Sequence, residues 1–510
     1  MGSEDKCRSF QDIVDSFHQC SSDHEKALSS IPELEDKDKR IVIQRQASMF
    51  LRFLVTCASE KDRFPDNFIF GVSTSAYQIE GGRDEDGNGR NVWDAITRVP
   101  GAIADNSTGD IACDSYHKWK RDIQLLKELR VSTYRFSISW SRVLPNGTTD
   151  NINEEGLAFY DNFLNELLEA GIEPLVTLYH FDLPSALQYQ GGWTNSSIVD
   201  WYGDYAELIF SRFADRVQNW LTINEPEIVC DQLAVLPLII DDKNAASLVC
   251  TKNLLLAHAN AHRIYRAKYK QLYNEPEEDD EKNKIVDIMM QSFNDRFIHP
   301  VFAKNGGWPK GLQKYIAKYS KDLGYNTSLL PSFTEREKKF IRGTYDYAGF
   351  NYYFAVKATD INSSIPWNPL ISIFSQEGYT VETYASPEGL RKLMNWLKDR
   401  YGIQDLLITE NGYADEDTTH LDYGRVKYIK QHLEQILLSI YEDGLNVFGY
   451  MVWSLMDNFE WTSGYKVRYG LYNIDFDDSE RPATPRISAS YYTCVNLNRT
   501  MQECNDIYFQ

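Results

Sequence analysis

The chain has 510 residues, of which 43% are hydrophobic and 13% aromatic, and its 53 basic and 74 acidic residues give a formal net charge of −21. This size and apolar content are enough for one large buried core, and α/β barrels use such a length as a single domain. The acidic balance repels phosphate backbones and anionic lipid, and no apolar run is long enough to span a membrane. We therefore expect neither nucleic acid nor a membrane as partner, and a neutral small molecule as substrate.

The first 61 residues are predicted to be an N-terminal extension. Residues 1–48 are polar and charge-rich, whereas residues 49–59 begin with Met49 and contain Arg52, a short apolar stretch and small residues. This pattern is typical of a secretory signal, and an amphipathic helix leading into the domain is the alternative. A working signal predicts a secreted or lumenal glycoprotein, and its absence predicts a cytoplasmic one. The N-glycosylation sequons lie at Asn106, Asn146, Asn195, Asn326, Asn362 and Asn498.

From residue 64 to about 498, short apolar runs alternate with amphipathic helical patterns, as in βαβ units around a parallel sheet. Strands are predicted at 68–75, 133–140, 173–179, 220–224, 284–290, 346–352, 406–410 and 447–455. Helices are predicted between them at 114–129, 154–170, 199–213, 254–270, 387–401 and 422–441. Eight strands separated by helices predict one (β/α)8 barrel, a TIM barrel, over residues 62–500, followed by a tail at 501–510.

Polar residues gather where the predicted strands end, which is the edge of such a barrel that holds the active site. The candidates are Gln78, Arg135, His180, Asn224, Glu225, Asn351, Tyr353, Glu410, Asn411 and Trp453. Taken singly, each has a structural alternative, because a strand-end His or Arg is often a hydrogen-bonded structural group and a lone Trp is often core. Taken together, two carboxylates ringed by amide, imidazole, indole and guanidinium groups are difficult to assign to packing alone.

Two carboxyl groups are what the hydrolysis of a glycosidic bond requires, since the departing oxygen needs a proton and the anomeric carbon needs negative charge beside it. A separation of about 5–5.5 Å retains configuration and one of about 6.5–9.5 Å inverts it, and the sequence leaves this distance open. A neighbouring arginine such as Arg135 would keep one of the two carboxyls ionised.

Seven segments carry a family resemblance that extends from about residue 64 to 498. They are FPDNF at 64–68, QIEG at 78–81, YRFSISW at 134–140, YHFDLP at 179–184, TINEP at 222–226, ITENG at 408–412 and WSLMDNFEW at 453–461. In this order and at this spacing they resemble glycoside hydrolase family 1, the β-glucosidase family. One triplet alone would be weak evidence, but seven motifs in order are strong.

The resemblance implies a role for each matching residue. Glu410 resembles the catalytic nucleophile and Glu225 the acid/base. Asn224 would hold the sugar's 2-hydroxyl, while Arg135 and Tyr353 would contact Glu410. The other substrate-binding candidates are Gln78, His180, Asn351, Glu460 and Trp461, with Trp453 as a platform under the sugar ring. The implied pocket uses no metal and no organic cofactor.

The expected activity is that of a retaining β-glycosidase acting on terminal non-reducing β-D-glucosyl residues, with galactosyl and fucosyl residues as further candidates. A thioglucosidase and a non-catalytic sugar-binding barrel are the alternatives. Glu460 argues against sugar 6-phosphates, because a carboxylate there would repel the phosphate. Glu225 argues against thioglucosidases that carry Gln at this position. The expected partner is a small β-glycoside, and the sequence does not distinguish a monomer from a homodimer.

The chain departs from the family pattern directly after the acid/base. Glu227 stands where relatives usually have an aromatic residue, and residues 228–242 differ from the family's loop. Because this segment shapes the leaving-group site in the family, the leaving group is the least transferable part of the prediction. The pairs Cys230/Cys250 and Cys494/Cys504 would be bridged in an oxidising compartment and would otherwise be buried thiols.

Overall fold

The computed structural model describes residues 62–233, 242–270, 295–356, 383–415 and 420–504. These residues contain a seven-stranded sheet in which all neighbouring strands are parallel. Its strands are β1 (Ile69–Ser73), β2 (Thr133–Ser137), β3 (Glu173–Tyr179), β4 (Asn219–Ile223), β5 (Ala348–Asn351), β6 (Asp405–Asn411) and β7 (Asn446–Trp453). Their order is β4-β3-β2-β1-β7-β6-β5, so strands consecutive in the chain are mostly neighbours in the sheet.

The two outer strands of this sheet approach each other, so the sheet curves into a barrel. At one level the Tyr347 hydroxyl donates to the Trp220 carbonyl at 3.4 Å, and at the carboxyl ends the Asn351 amide donates to Asn224 Oδ1 at 3.1 Å. The strand predicted at 284–290 lies outside the described residues. The barrel-shaped parallel sheet with helices between its strands confirms the predicted fold class.

The helices lie between the strands in the chain, except for the last one, which follows β7, and they cover the barrel. They are α1 (Ala76–Ile79), α2 (Val92–Ile96), α3 (Ser115–Leu129), α4 (Trp140–Val143), α5 (Glu154–Glu169), α6 (Ser185–Gln188), α7 (Ile198–Phe213), α8 (Pro226–Ile228), α9 (Lys243–Lys268), α10 (Asp295–Phe302), α11 (Lys310–Asp322), α12 (Glu335–Ile341), α13 (Pro387–Tyr401), α14 (Tyr423–Tyr441) and α15 (Ile487–Asn498). A π-helical turn, Val229–Leu233, follows α8. None of the helices in the described ranges is both long and apolar enough to cross a membrane.

The apolar pattern of the sequence explains how these helices pack. In α7 the buried positions Ile198, Tyr202, Tyr205, Ile209 and Phe213 recur every three or four residues, which places them on one face. The central strands are buried on both faces, as parallel strands covered by helices must be; all of β2 is buried, for example. The core is therefore the interface between the barrel and its helices.

Two predicted elements differ from the structure by three residues or more at one end, and the other described ones by one or two residues or not at all. The strand predicted at 133–140 ends at Ser137, because the Ser139 side chain caps α4 by accepting from the Arg142 amide. The helix predicted at 254–270 begins at Lys243, where Asp242 accepts from the Asn244 amide at 2.9 Å. The prediction missed its first turns because this helix has little amphipathic character, so periodicity gave no signal for its start.

Two disulfides and one backbone bridge link separate segments of the described structure. Cys230 is bonded to Cys250 and Cys494 to Cys504, with Cα atoms 5.5 and 5.8 Å apart. Before β1, Arg63 forms an isolated antiparallel bridge with Thr500, after α15. This contact lies at the amino end of β1, which is the end of the barrel opposite to the carboxyl ends of the strands.

Candidate active site

The predicted site residues converge at the carboxyl ends of the strands. They are Arg135 in β2, His180 after β3, Asn224 and Glu225 after β4, Asn351 in β5, Glu410 in β6 and Trp453 in β7. Parallel strands in register place these residues in one ring, and Asn351 pairs directly with Glu410 between β5 and β6. Asn411 points elsewhere: its amide donates to the Tyr352 carbonyl, and its Oδ1 accepts from the Tyr450 hydroxyl at 2.7 Å.

Glu410 is held by donors on both of its oxygens. Oε1 accepts from Arg135 Nη1 at 2.5 Å, and Oε2 accepts from the Tyr353 hydroxyl at 2.6 Å. The carboxylate is 3% exposed. A cation and a phenol hydroxyl directed at one buried carboxylate stabilise negative charge there and fix its orientation. This is the environment that a carboxylate nucleophile needs.

Arg135 connects Glu410 to the neighbouring strands. Besides Glu410, its guanidinium donates from Nη2 to Asn224 Oδ1 at 2.7 Å and from Nε to Thr177 Oγ1 at 3.0 Å. Nη1 also donates to the Thr409 carbonyl at 3.0 Å. These contacts reach β3, β6 and the end of β4, so one buried cation sets the relative positions of three strand ends.

Glu225 lies in a different environment from Glu410. Its Oε1 accepts from the Asn351 amide at 2.9 Å, and its backbone is in the left-handed region with φ of 38°. Desolvation in the pocket and the negative charges of Glu410 and Glu227 raise the pKa of Glu225 to about 8. A carboxyl with this pKa keeps its proton at neutral pH, which is the property of a general acid.

His180 is a buried neutral imidazole beside Asn224 and Trp453. Burial and the charge of Arg135 hold the pKa of His180 well below its usual range, so the imidazole is neutral. The Asn224 amide lies 3.3 Å from Nε2 and donates to it, which leaves the proton on Nδ1. Nδ1 is buried and has no hydrogen-bond partner in the described part of the chain.

The other side of the pocket is formed by the segment after β7. Trp453 donates from Nε1 to Glu460 Oε1 at 3.2 Å, and the rings of Trp453 and Trp461 stack near His180 at 5.7 and 5.9 Å. Desolvation and the charge of Glu410 raise the pKa of Glu460 to about 8, against the opposing hydrogen bond from Trp453. Aromatic faces beside polar groups are suited to a sugar ring and its hydroxyls.

Gln78 is fully buried and largely engaged by the protein. Its amide nitrogen donates to Asn458 Oδ1 and to the Phe459 carbonyl, both at 2.9 Å, and its Oε1 accepts from the Ser75 hydroxyl at 2.6 Å. Asn458, like Thr177 and Thr409, was not among the sequence candidates. The pairing of Gln78 with Asn458 spans 380 positions, and no local pattern could have revealed it.

Taken together, the barrel and its two carboxyls define a glycoside hydrolase of the two-carboxylate type, with one carboxyl paired with an arginine and the other with a pKa raised by its surroundings. The chain belongs to glycosyl hydrolase family 1, whose family model matches residues 60–501.

Relatives within the family have different named activities. The chain is 40% identical to myrosinase 1 of Brevicoryne brassicae over 85% of this chain and 98% of that one. It is 37% identical to the human cytosolic β-glucosidase over 86% of this chain and 99% of that one. Among solved structures, a family 1 β-glucosidase from Thermotoga maritima is similar with a TM-score of 0.73 and 33% identity, covering 86% of this chain and all of that one.

Proposed function

We propose that this protein is a retaining β-glucosidase that cleaves terminal non-reducing β-D-glucosyl residues through a covalent glycosyl-enzyme. The single observation that carries the proposal is the contrast between its two carboxyls. Glu410 is paired with Arg135 and Tyr353, whereas the pKa of Glu225 is raised to about 8. Two titratable groups whose environments differ in this way are suited to acid and nucleophile roles.

In the first step, the proton on Glu225 passes to the glycosidic oxygen while Glu410 attacks the anomeric carbon, so the aglycone leaves as an alcohol and the sugar is bound to Glu410. In the second step, ionised Glu225 takes a proton from water, which attacks the anomeric carbon and releases Glu410. Asn351 donates to Glu225, and Asn224 is oriented by Arg135 towards the sugar. Two inversions give net retention.

The same geometry supports roles for the remaining site residues. His180, with its free Nδ1 proton, would donate to a sugar hydroxyl, and Glu460 would accept from others or share its proton. Trp453 would lie under the ring, with Trp461 and Gln78 completing the pocket. These groups suit a neutral hexose, and the names of several relatives support glucose over galactose or fucose.

A thioglucosidase is the second candidate function, and the similarity to an aphid myrosinase at 40% identity favours it. Cleavage of a thioglycosidic bond depends less on proton donation, because a thiohydroximate leaves more readily than an alkoxide. The retained acid/base Glu225 therefore supports an O-glycosidase first. A non-catalytic barrel is the least consistent with this site, since the whole two-carboxylate arrangement is present.

The deciding experiment is a panel of 4-nitrophenyl β-glucoside, β-galactoside and β-fucoside, cellobiose and a glucosinolate. We expect the glucoside to have the highest kcat/KM and the glucosinolate the lowest. Incubation with a 2-deoxy-2-fluoroglucosyl fluoride should trap the sugar on the peptide that contains Glu410. Failure to cleave any member of the panel would support the non-catalytic barrel, and labelling of another residue would exclude Glu410 as nucleophile.

We also propose that the protein enters the secretory pathway from Met49. The two disulfides support this proposal, because such bonds persist in oxidising compartments. A chain started at Met49 in eukaryotic cells should be secreted with its N-terminus near Ser59 or Glu60 and should carry glycans on some sequons. Retention of that chain in the cytosol would contradict the proposal.

A further inference from the structure

The segment that follows Glu225 folds back on the acid/base. The amides of Ile228 and Val229 donate to the Glu225 carbonyl at 3.0 and 3.2 Å, which forms α8 and starts the π-helical turn. Glu227 lies inside this first turn, two residues after the acid/base. The negative charge of Glu227 is one of those that raise the pKa of Glu225, so the two carboxyls lie within electrostatic reach of each other.

Buried contacts immobilise this segment. Asp231 accepts from Arg296 Nη2 at 2.6 Å and from the Ser247 hydroxyl at 2.5 Å, and these two partners lie on α10 and α9. Asp231 is 8% exposed and Arg296 1% exposed. The bond between Cys230 and Cys250 adds a covalent link to α9. Cys230 and Asp231 are therefore held against α9 and α10, and Arg296 has Asp231 as a close charged partner.

The segment is also strongly acidic. Residues 226–242 contain four acidic residues, Glu227, Asp231, Asp241 and Asp242, and no Lys or Arg. Glu227 is partly exposed, and its charge acts on both Glu225 and Arg296. Burial raises the pKa of Glu227 while Arg296 opposes this shift. Arg296, the cation that opposes this shift, is itself paired with the carboxylate of Asp231.

The leaving group must extend towards this segment. The groups that suit the glucosyl ring, His180, Trp453 and Glu460, follow β3 and β7, and the glycosidic oxygen must meet Glu225 after β4. Atoms beyond that oxygen should therefore extend past Glu225 on its outer side, where the chain continues into α8.

We propose that Glu227 determines leaving-group specificity, so that the enzyme prefers β-glycosides whose leaving groups are cationic or neutral hydrogen-bond donors over those that carry a sulfate, sulfonate or carboxylate. The inference rests on the proposed function and deepens it. An ionised carboxylate in a pocket that is poorly screened attracts an ammonium or hydroxyl group and repels an anion. It also disfavours thioglycosides with a sulfated leaving group, which separates this chain from a glucosinolate-cleaving relative.

The test uses three phenyl β-glucosides that differ only in one distal para substituent: aminomethyl, hydroxymethyl or sulfomethyl. The methylene group keeps the phenols similar as leaving groups, so differences in kcat/KM report charge. For the full-length enzyme we expect kcat/KM for the aminomethyl substrate to exceed kcat/KM for the sulfomethyl substrate by about tenfold or more. A ratio of this size corresponds to a charge contact of ~1.4 kcal/mol. Added salt should reduce this ratio.

Two variants and a control isolate the residue. Glu227→Gln should bring the ratio close to one, mainly by raising kcat/KM for the sulfomethyl substrate, and Glu227→Asp should keep most of it. Glu173→Gln removes the same charge from an exposed position at the amino end of β3, on the far side of the barrel, and should leave the ratio unchanged.

The outcomes separate the two proposals. An enzyme that cleaves none of the three glucosides is not a β-glucosidase, and both proposals fail. An enzyme that cleaves the hydroxymethyl substrate but has a ratio near one, or whose ratio is unchanged in a folded Glu227→Gln variant, overturns only the role of Glu227. If Glu227→Gln does not fold, the salt dependence of the wild-type enzyme provides the test. A kcat/KM ratio that does not change with salt then overturns the role of Glu227.

Discussion

Arg135 donates from Nη1 to Oε1 of Glu410 at 2.5 Å, and both side chains are buried, with 1% and 4% exposed. Removing one member of such a pair is strongly destabilising, because the other is then left as an uncompensated buried charge. In this protein the pair also orients the proposed nucleophile, so stability and catalysis depend on the same contact.

Replacing Glu410 by Ala should lower kcat for 4-nitrophenyl β-glucoside by about three orders of magnitude or more, since a nucleophile acts only in the reaction itself. The matched control is Tyr353→Phe, which removes one of the two donors to Glu410 and keeps the carboxylate. In this variant kcat should fall roughly ten- to a hundredfold. A folded Glu410→Ala variant with more than about a tenth of wild-type turnover would contradict the assignment.

The alkaline limb of the pH profile should report Glu225. Because desolvation and the charges of Glu410 and Glu227 raise the pKa of Glu225 to about 8, the proton needed for the leaving group is present below this pH and is lost as the pH rises through it. We expect kcat/KM for an alkyl β-glucoside to fall above about pH 8. Glu227→Gln should move this limb to lower pH, and an unmoved limb would argue against the charge coupling.

Glu225→Gln should affect substrates according to their leaving groups. With an alkyl glucoside, the rate should fall by about a hundredfold or more. With a dinitrophenyl glucoside, a burst of dinitrophenol equal to the enzyme concentration should be followed by slow turnover. Azide should accelerate that turnover and give the β-glucosyl azide. Equal losses on both substrates, with no burst and no effect of azide, would require a different acid/base.

Glucosides should be strongly preferred over glucoside 6-phosphates. Glu460 lies beside Trp453 in the pocket, and because its pKa is raised to about 8, the charge that would repel a dianionic phosphate is present mainly above that pH, where the comparison should be made. We expect kcat/KM for 4-nitrophenyl β-glucoside to exceed that for its 6-phosphate by about a hundredfold or more, and Glu460→Gln to narrow the difference. Similar specificity constants in the wild-type enzyme would show that Glu460 does not exclude phosphate.

Thermal stability should decrease with pH because of Asp182. This carboxyl is fully buried, and burial raises its pKa from 3.8 to about 8. The folded state therefore holds a proton that the unfolded state releases, so the linked stability is complete below pH 3.8 and is lost as the pH rises to about 8. Asp182→Asn should reduce the fall in Tm between pH 5 and 8.5 by a few degrees. The exposed control Asp200→Asn should show the same fall in Tm as the wild-type protein. If Asp182→Asn also shows the wild-type fall in Tm, this carboxyl is not its cause.

Much of this architecture could be predicted from the sequence, because buried parallel strands appear as short continuous apolar runs whereas amphipathic helices repeat their apolar residues every three or four positions. The helix predicted at 387–401 has the same bounds as α13, where Ser386 caps the start and Gly402 ends it. The long helix α9 was predicted eleven residues too short at its start, since its apolar residues do not follow a single face.

The candidate site was predictable residue by residue but not contact by contact. The ring of polar groups follows from the strand ends, since the barrel brings these ends together. The contacts of Arg135 and Tyr353 with Glu410 were expected from the family resemblance, but the other contacts that tune the site do not follow from the sequence. The Asn351 amide donates to Glu225 across 126 positions, and nothing in the sequence marks Asp182 as fully buried. Charge coupling depends on three-dimensional distances, which a pattern of residues along the chain does not contain.

The bridge between Arg63 and Thr500 has a consequence for engineering. The amide of Phe64 donates to the Arg499 carbonyl at 2.8 Å, so the first and last parts of the barrel already touch, on the side away from the pocket. A linker of a few residues would join them into a ring without stretching either one. New ends could then be opened in an exposed surface turn such as that at Gly324, and a partner protein attached at the Arg63 side would leave the path to the pocket clear.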